Sequence, residues 1–349
     1  MKMQQLEYEV RFLTPAFLGN AEQSAQWRTP PFKALLRQWW RVAAAPEVEF
    51  PWDFTQLREM EGRLFGHAWL ESDSSSARQS KILLRLNHWN EGTLKSWAGL
   101  GRNGSVTHPE VPKPVGSDLY LGYGPLVFKG GTALKANAAI QPAESAVLSL
   151  ALPEKEAALI NQTMWLIDRF GTIGGRSRNG WGSLSLKPLG NTPELQGVPP
   201  LRNWMQCLDL DWPHALGCDG DGLLAWETQS FDDWKLLMKE LALVKIGLRT
   251  QFRFTTGREA EAPEPRHWLS YPVTNHWVRS WERSARLPNT LRFKIRRDAQ
   301  DERKLRGIIF HMPCLPPESF RPDRQNVLQV WQRVHSFLSQ QSNLTRVQE

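Results

Sequence analysis

Three cysteines, no long apolar run and no metal-ligand spacing set the first limits on this 349-residue chain. Cys207, Cys218 and Cys314 are odd in number and too far apart for a CxxC pair, which argues against a disulfide framework and a zinc knuckle. No stretch approaches the roughly 20 apolar residues that a membrane-spanning helix needs. The opening MKMQQLEYEVRFLTP lacks the apolar centre of a signal peptide. A cytoplasmic protein with no membrane partner is therefore expected. The eight histidines are scattered without HxH or HExxH, so no metal, cofactor or catalytic set is predicted. GK[ST] is missing as well, and with it the phosphate loop of a nucleotide hydrolase.

What is present describes a folded chain. Hydrophobic residues make up 41% and charged residues 23%, which excludes a disordered or coiled-coil protein, and the length suits two domains. A net charge of +7 favours a polyanionic partner. Much of it falls in one window, residues 275–306, where ten basic residues stand against four acidic ones. This stretch is either a basic stripe or a solvated face. The 17 tryptophans exceed what a core needs; most belong to core or subunit contacts, and a minority are available to stack on bases. Asp219-Gly-Asp-Gly lacks the further ligands of a calcium loop and is a polar turn, and Asp232-Asp233 sits where a helix cap belongs.

Periodicity supplies the elements. In the first half, strands are predicted over Glu7–Leu13, Lys81–Leu86, Tyr120–Gly124, Val147–Leu152 and Ser183–Lys187. Helices start near Pro31, at Phe54 and at Glu154, the last running to Phe170. A Ser-rich linker, Ser72–Ser80, and an irregular insertion at about 90–132 interrupt them, and Pro188–Pro200 links the halves. The second half is expected to follow with strands at Cys207–Leu210, Leu269–Val273, Leu291–Arg296 and Gly307–His311, and helices at Phe231–Leu248 and Gln325–Leu338. This order implies an α+β protein in which each half is an antiparallel sheet with helices on one face. The domains are residues 1–190, with the insertion, and 191–349.

The most informative stretch is FGTIGGRSRNGWGSL from Phe170, with glycines at 171, 174, 175, 180 and 182. Here the glycines follow a helix and precede a strand, the reverse of a dinucleotide-binding loop. Glycines let a backbone approach closely and let successive N–H groups converge on one anion, while guanidinium groups add charge and paired donors. Gly174, Gly175, Arg176, Ser177, Arg178 and Asn179 are the candidate RNA contacts. The alternative is a glycine-rich turn with incidental arginines.

Several separated motifs, VRFLTPAFLGNAEQ, RTPPFKALLRQWWR, EGRLFGHAW with KILLRL, YLGYG and FGTIGGRSRNGWGSL, occur in an order that resembles the RAMP superfamily of CRISPR-associated proteins, and within it the RAMP subunits of type III-B (Cmr) effector complexes. They cover roughly the first half of the chain, with a weaker echo in HWLSYPVT and LPNTLRFKI. The resemblance implies two ferredoxin-like (RRM-like) domains and a glycine-rich loop on RNA. It further implies a place among other RAMP subunits in a crRNA-guided antiviral complex, where this subunit positions guide or target RNA without cutting it. By the same resemblance Lys33, Arg37 and Arg41, spaced four apart on the first helix, face the RNA. Two alternatives remain: a crRNA-processing endoribonuclease of the superfamily, whose loop lies nearer the C-terminus and which carries an early catalytic histidine, and a stand-alone binder of structured RNA.

Overall fold

A computed structural model of the chain describes residues 2–50, 54–68, 77–101, 104–282 and 284–348. Strand β1, Met3–Phe12, alternates as expected: Leu6, Tyr8, Val10 and Phe12 are buried while their neighbours are not. Helix α1, Thr29–Ala44, opens on a proline pair that fits the first turn, where no amide partner is needed. Its apolar stripe buries Leu35, Leu36, Trp39 and Trp40. Helix α2, Thr55–Phe65, and strands β2, Leu83–Leu86, and β3, Ser145–Pro153, follow. Helix α3, Ala157–Phe170, and strand β4, Leu184–Pro188, complete the set. The sheet order is β2-β3-β1-β4, with β1 antiparallel to both β3 and β4 and β2 antiparallel to β3. Helix, then two strands, then helix, then strand, closing beside the first strand, is the ferredoxin-like arrangement. The two helices meet where Trp39 stacks on Phe170, ring centroids 6.1 Å apart.

The same wiring recurs. Strand β5, Ala225–Thr228, helix α4, Trp234–Thr250, strands β6, Leu291–Arg297, and β7, Leu305–His311, helix α5, Arg324–Ser339, and strand β8, Leu344–Arg346, form a sheet of order β6-β7-β5-β8. Here β5 runs antiparallel to β7 and β8. Gly307 of β7 leaves room for Leu237 and Leu241 of α4, and Gly247 leaves room for the Phe337 ring of α5; a Cβ would lie 2.9 Å from Leu241 at the first position and 2.7 Å from Phe337 at the second. Asp233 and Asp323 cap α4 and α5 by accepting amide protons from the first turn.

By contact the chain divides into two units: Met1–Arg102, Gly122–Pro200 and Lys294–Arg303 in one, Asn103–Leu121, Leu201–Phe293 and Lys304–Glu349 in the other. The α+β class and its two ferredoxin-like sheets agree with the sequence reading. Three short segments differ. Tyr120–Gly124 overlaps a helix, Ser117–Gly122, rather than forming a strand, and Cys207 ends a short helix, Trp204–Cys207, capped by the Asn203 side chain. Tyr271 and Val273 make only isolated bridges, and the small strands β5 and β8 lie where none was expected. Runs of four or five apolar residues are too short for period to separate helix from strand. Most of the Ser72–Ser80 linker lies outside the described residues.

Candidate nucleic-acid interface

Residues 171–183 join α3 to β4 as a long hairpin-like excursion. Its base is buried and tied down by backbone and hydroxyl hydrogen bonds. Ile173 N–H donates to the Gly182 carbonyl (3.0 Å), Gly182 N–H to Pro15 (2.9 Å), and Ser183 N–H to the Thr14 hydroxyl (3.0 Å). The hydroxyls of Thr14 and Ser183 both donate to the Gly180 carbonyl at 2.8 Å. Gly182, at φ +63°, would bring a Cβ to 1.9 Å from the Ile173 carbonyl, and Gly174, at φ +92°, to 2.8 Å from that of Phe17. These glycines are therefore required by the chain's own close approaches.

The tip differs. Gly174 and Arg176 are exposed, and Gly175, Ser177, Arg178 and Asn179 are half-buried. Gly175 N–H already donates to the Phe17 carbonyl (3.0 Å), and Asn179 N–H to that of Arg176 (2.9 Å). Among the described residues the amides of Gly174, Arg176 and Ser177 make no such bond, so the group of N–H donors open to an anion is smaller than the glycine count suggested. Arg176 itself adopts a left-handed φ of +56°. Its Nε donates to the Tyr123 carbonyl (2.6 Å), which leaves the far edge of the guanidinium turned outward. Trp181 is fully buried between Phe17 and Trp97, at 5.5 Å from each ring, and serves packing.

Beside this tip Phe17, Gly19, Gly124, Pro125, Lys135 and Gly175 contribute to an open cleft of about 540 Å³. Two large rings stand exposed on the same stretch, Tyr123 at 65% and Phe128 at 70%. Phe128 belongs to a small hairpin, Leu126–Phe128 with Thr132–Leu134. Sequence reasoning missed these residues because nothing in their spacing distinguishes an exposed ring from a buried one.

The basic face of α1 is tied down. The carboxylate of Glu61 on α2, 3% exposed, accepts from Arg37 Nε at 2.6 Å and from Arg41 Nε and a terminal nitrogen at 2.7 and 2.8 Å. One buried anion thus holds two partly exposed arginines, leaving one net positive charge on the three groups. Lys33 is half-buried one turn earlier.

The window 275–306 is not one stripe. Arg279 pairs with Glu259 and Glu261, Arg303 with Asp301, and Arg306 with Glu227. Arg283 lies outside the described residues. Lys294 is fully buried: its Nζ donates to the carbonyls of Ile167, Gly171 and Leu184 at 2.8–2.9 Å, which join both ends of the 171–183 loop. Burial pushes its pKa down to about 7, while three acceptors match the three N–H bonds of an ammonium group and oppose that loss. Next to it Ile295 N–H donates to the Ser183 hydroxyl (2.9 Å).

Among the described residues no three His, Cys, Asp or Glu side chains converge as a metal site, and no helix is long and apolar enough to cross a membrane. The family model of the RAMP superfamily matches residues 9–185, from β1 through the glycine loop into β4. The chain belongs to the RAMP superfamily. Among solved structures this RAMP protein is similar to the apo crystal structure of Cmr1 from Pyrococcus furiosus, with 15% identity, a TM-score of 0.47 and 98% of both chains covered. It is also similar to chains of two cryo-EM structures of type III-B Cmr-beta bound to cognate target RNA, one of them also with AMPPnP and in the presence of ssDNA. Each has 12% identity and a TM-score of 0.47, covering 95% of this RAMP chain and 98% or 100% of the other. No curated protein matches this RAMP chain.

Proposed function

We propose that the chain is a non-catalytic, RNA-binding subunit of a type III CRISPR ribonucleoprotein effector complex, of the kind that the first-numbered Cmr subunit represents. It holds guide or target RNA against the loop tip, beside other RAMP subunits. The observation that carries this reading is the division of residues 171–183 into a buried, hydrogen-bonded base and a more open tip that carries exposed Arg176, half-buried Ser177 and Arg178, and open amides beside a cleft. A rigid base fixes the donors before the ligand arrives, so less ordering entropy is lost on binding. Tyr123 and Phe128 add apolar faces on which unstacked bases can rest. The order of the sequence motifs and superfamily membership favour the effector role.

Replacing Arg176→Ala together with Arg178→Ala is expected to weaken RNA binding at least tenfold and to lower the log–log salt slope by about one for each lost phosphate contact. Filter binding of single-stranded RNA across a salt series checks it, and an unchanged affinity at matched salt defeats the loop assignment. Copurification separates the alternatives: an effector subunit brings partner proteins and a short guide RNA, whereas a processing enzyme cleaves repeat RNA on its own.

A further inference from the structure

The second unit contains a group of buried cationic side chains that the reading above does not use. Arg266 lies in the short helical turn Pro265–Trp268 with its side chain only 5% exposed, over the face of Phe254 at 5.2 Å. One terminal nitrogen donates to Glu110 at 2.6 Å, and its Nε is buried with no hydrogen-bond partner. Arg249, in the last turn of α4, also has a buried Nε with no partner. Its terminal nitrogens make no hydrogen bond among the described residues. His108 is 7% exposed, and its ring lies 5.9 Å from that of Tyr120. The backbone N–H of Glu110 donates to His108 Nδ1 (3.2 Å), so the neutral ring carries its proton on Nε2 as a donor. Neither that nitrogen nor the Tyr120 hydroxyl is bonded within the described protein.

The four side chains act on one another. The charges felt by Tyr120 and by His108 include Arg249, Arg266 and Glu110. Arg266 is paired with Glu110, which is itself 41% exposed, while Arg249 feels the charge of that carboxylate and makes no ion pair with it. Buried guanidinium groups without matched acceptors are costly unless something anionic completes the set. Every open group in the cluster is a donor, and two are planar forks suited to tetrahedral oxyanions.

We infer that Arg249, Arg266, His108 and Tyr120 form a binding site for a phosphoryl anion, either a backbone phosphate of RNA or a free phosphorylated compound. This site is independent of the 171–183 loop. Arg266 and Arg249 supply charge and paired donors, His108 and Tyr120 each supply one neutral donor, and Glu110 holds Arg266 in place while the site is empty.

The test is calorimetry of the full chain with inorganic phosphate replacing chloride at constant ionic strength. Tenfold saturation of one native-state site is expected to raise Tm by about 2–4 °C. Arg249→Gln, which removes no hydrogen bond seen in the protein, is expected to weaken phosphate binding at least tenfold and cut the rise to about a third or less at the same concentration. Tyr120→Phe keeps the ring against His108 and should weaken binding about fivefold. If a single-stranded oligoribonucleotide removes the phosphate-dependent rise, the occupant is an RNA phosphate; if the two effects add, it is a free phosphorylated compound. No rise in the parent chain, or the same rise in both variants, overturns the proposal. Arg176→Ala with Arg178→Ala leaves the rise intact, so failure of this site and failure of the loop assignment are told apart.

Discussion

The two ferredoxin-like sheets share one wiring and differ in what hangs from it. In the first, the last helix reaches the last strand through 13 residues, 171–183; in the second, residues 340–343 suffice. Between the second and third strands the first uses residues 87–144, the second only 298–304. The short versions show that the fold itself requires neither excursion. The glycine loop, the cleft and the exposed rings are thus additions to a frame that closes without them, which is where binding groups concentrate. The interiors differ as well. The second unit buries neutral histidines, whereas the first buries a lysine and a glutamate held by two partly exposed arginines.

Acid should separate the two most widely. Burial holds His214 and His267 down to about 4 and His335 down to about 3, against an ordinary 6.5, and burial with the neighbouring His335 keeps His311 well below that value. The unfolded chain binds protons near pH 6.5 that the folded unit refuses. The stability these groups contribute is therefore complete above that pH and drains away as pH falls toward 4. For the three printed values the loss between pH 7 and pH 5 is on the order of 5 kcal/mol. Hydrogen exchange at pH 5 should show the helices of the second unit opening first; loss of protection in α1 and α3 ahead of α4 and α5 breaks the comparison.

A glycine exchange sharpens it. Gly182→Ala forces a Cβ into the Ile173 carbonyl at positive φ and should cost roughly 3 kcal/mol, whereas Gly222→Ala, at φ +100° with open space around it, should cost about 1 kcal/mol. Equal costs by urea denaturation would mean that the base of the loop relaxes freely. The smallest effect belongs to α1. Arg41→Ala leaves Glu61 with Arg37 alone and should lower stability by about 1 kcal/mol, read from the urea midpoint, because the Arg41 side chain is a third exposed. A loss above about 3 kcal/mol would show that the pair, and not the remaining arginine, neutralises Glu61.

Much of this frame is legible in the residues. Alternation dictates β1 and β3, and the proline pair with the four-residue spacing of Leu35 to Trp39 and Leu36 to Trp40 dictates α1. The motif order led to the superfamily. What stayed hidden depends on the third dimension. Lys294 and Arg292 read as part of a basic stretch, yet Lys294 is enclosed with three carbonyls and Arg292 is buried. Arg37 and Arg41 read as a free face, but their partner Glu61 lies on another helix with no spacing signal to announce it. The loop glycines suggested a row of open amides, and several of those amides are spent on Phe17, Pro15 and the loop itself. Charge along a sequence carries no record of which counter-charge the fold will bring beside it.

Lys294 has a consequence for the order of events during synthesis. The lysine that gathers the carbonyls at both ends of the glycine loop is encoded 110 residues after Leu184, so a ribosome has long since finished the first sheet's last strand when the clamp emerges. Until then the carbonyls of Gly171 and Leu184 lack their Lys294 donor, while that of Ile167 already accepts from the Gly171 amide, and the root of the loop is without its clamp. A nascent or truncated first half would carry every residue of the tip and still lack the clamp at its root, which waits on the translation of the second half.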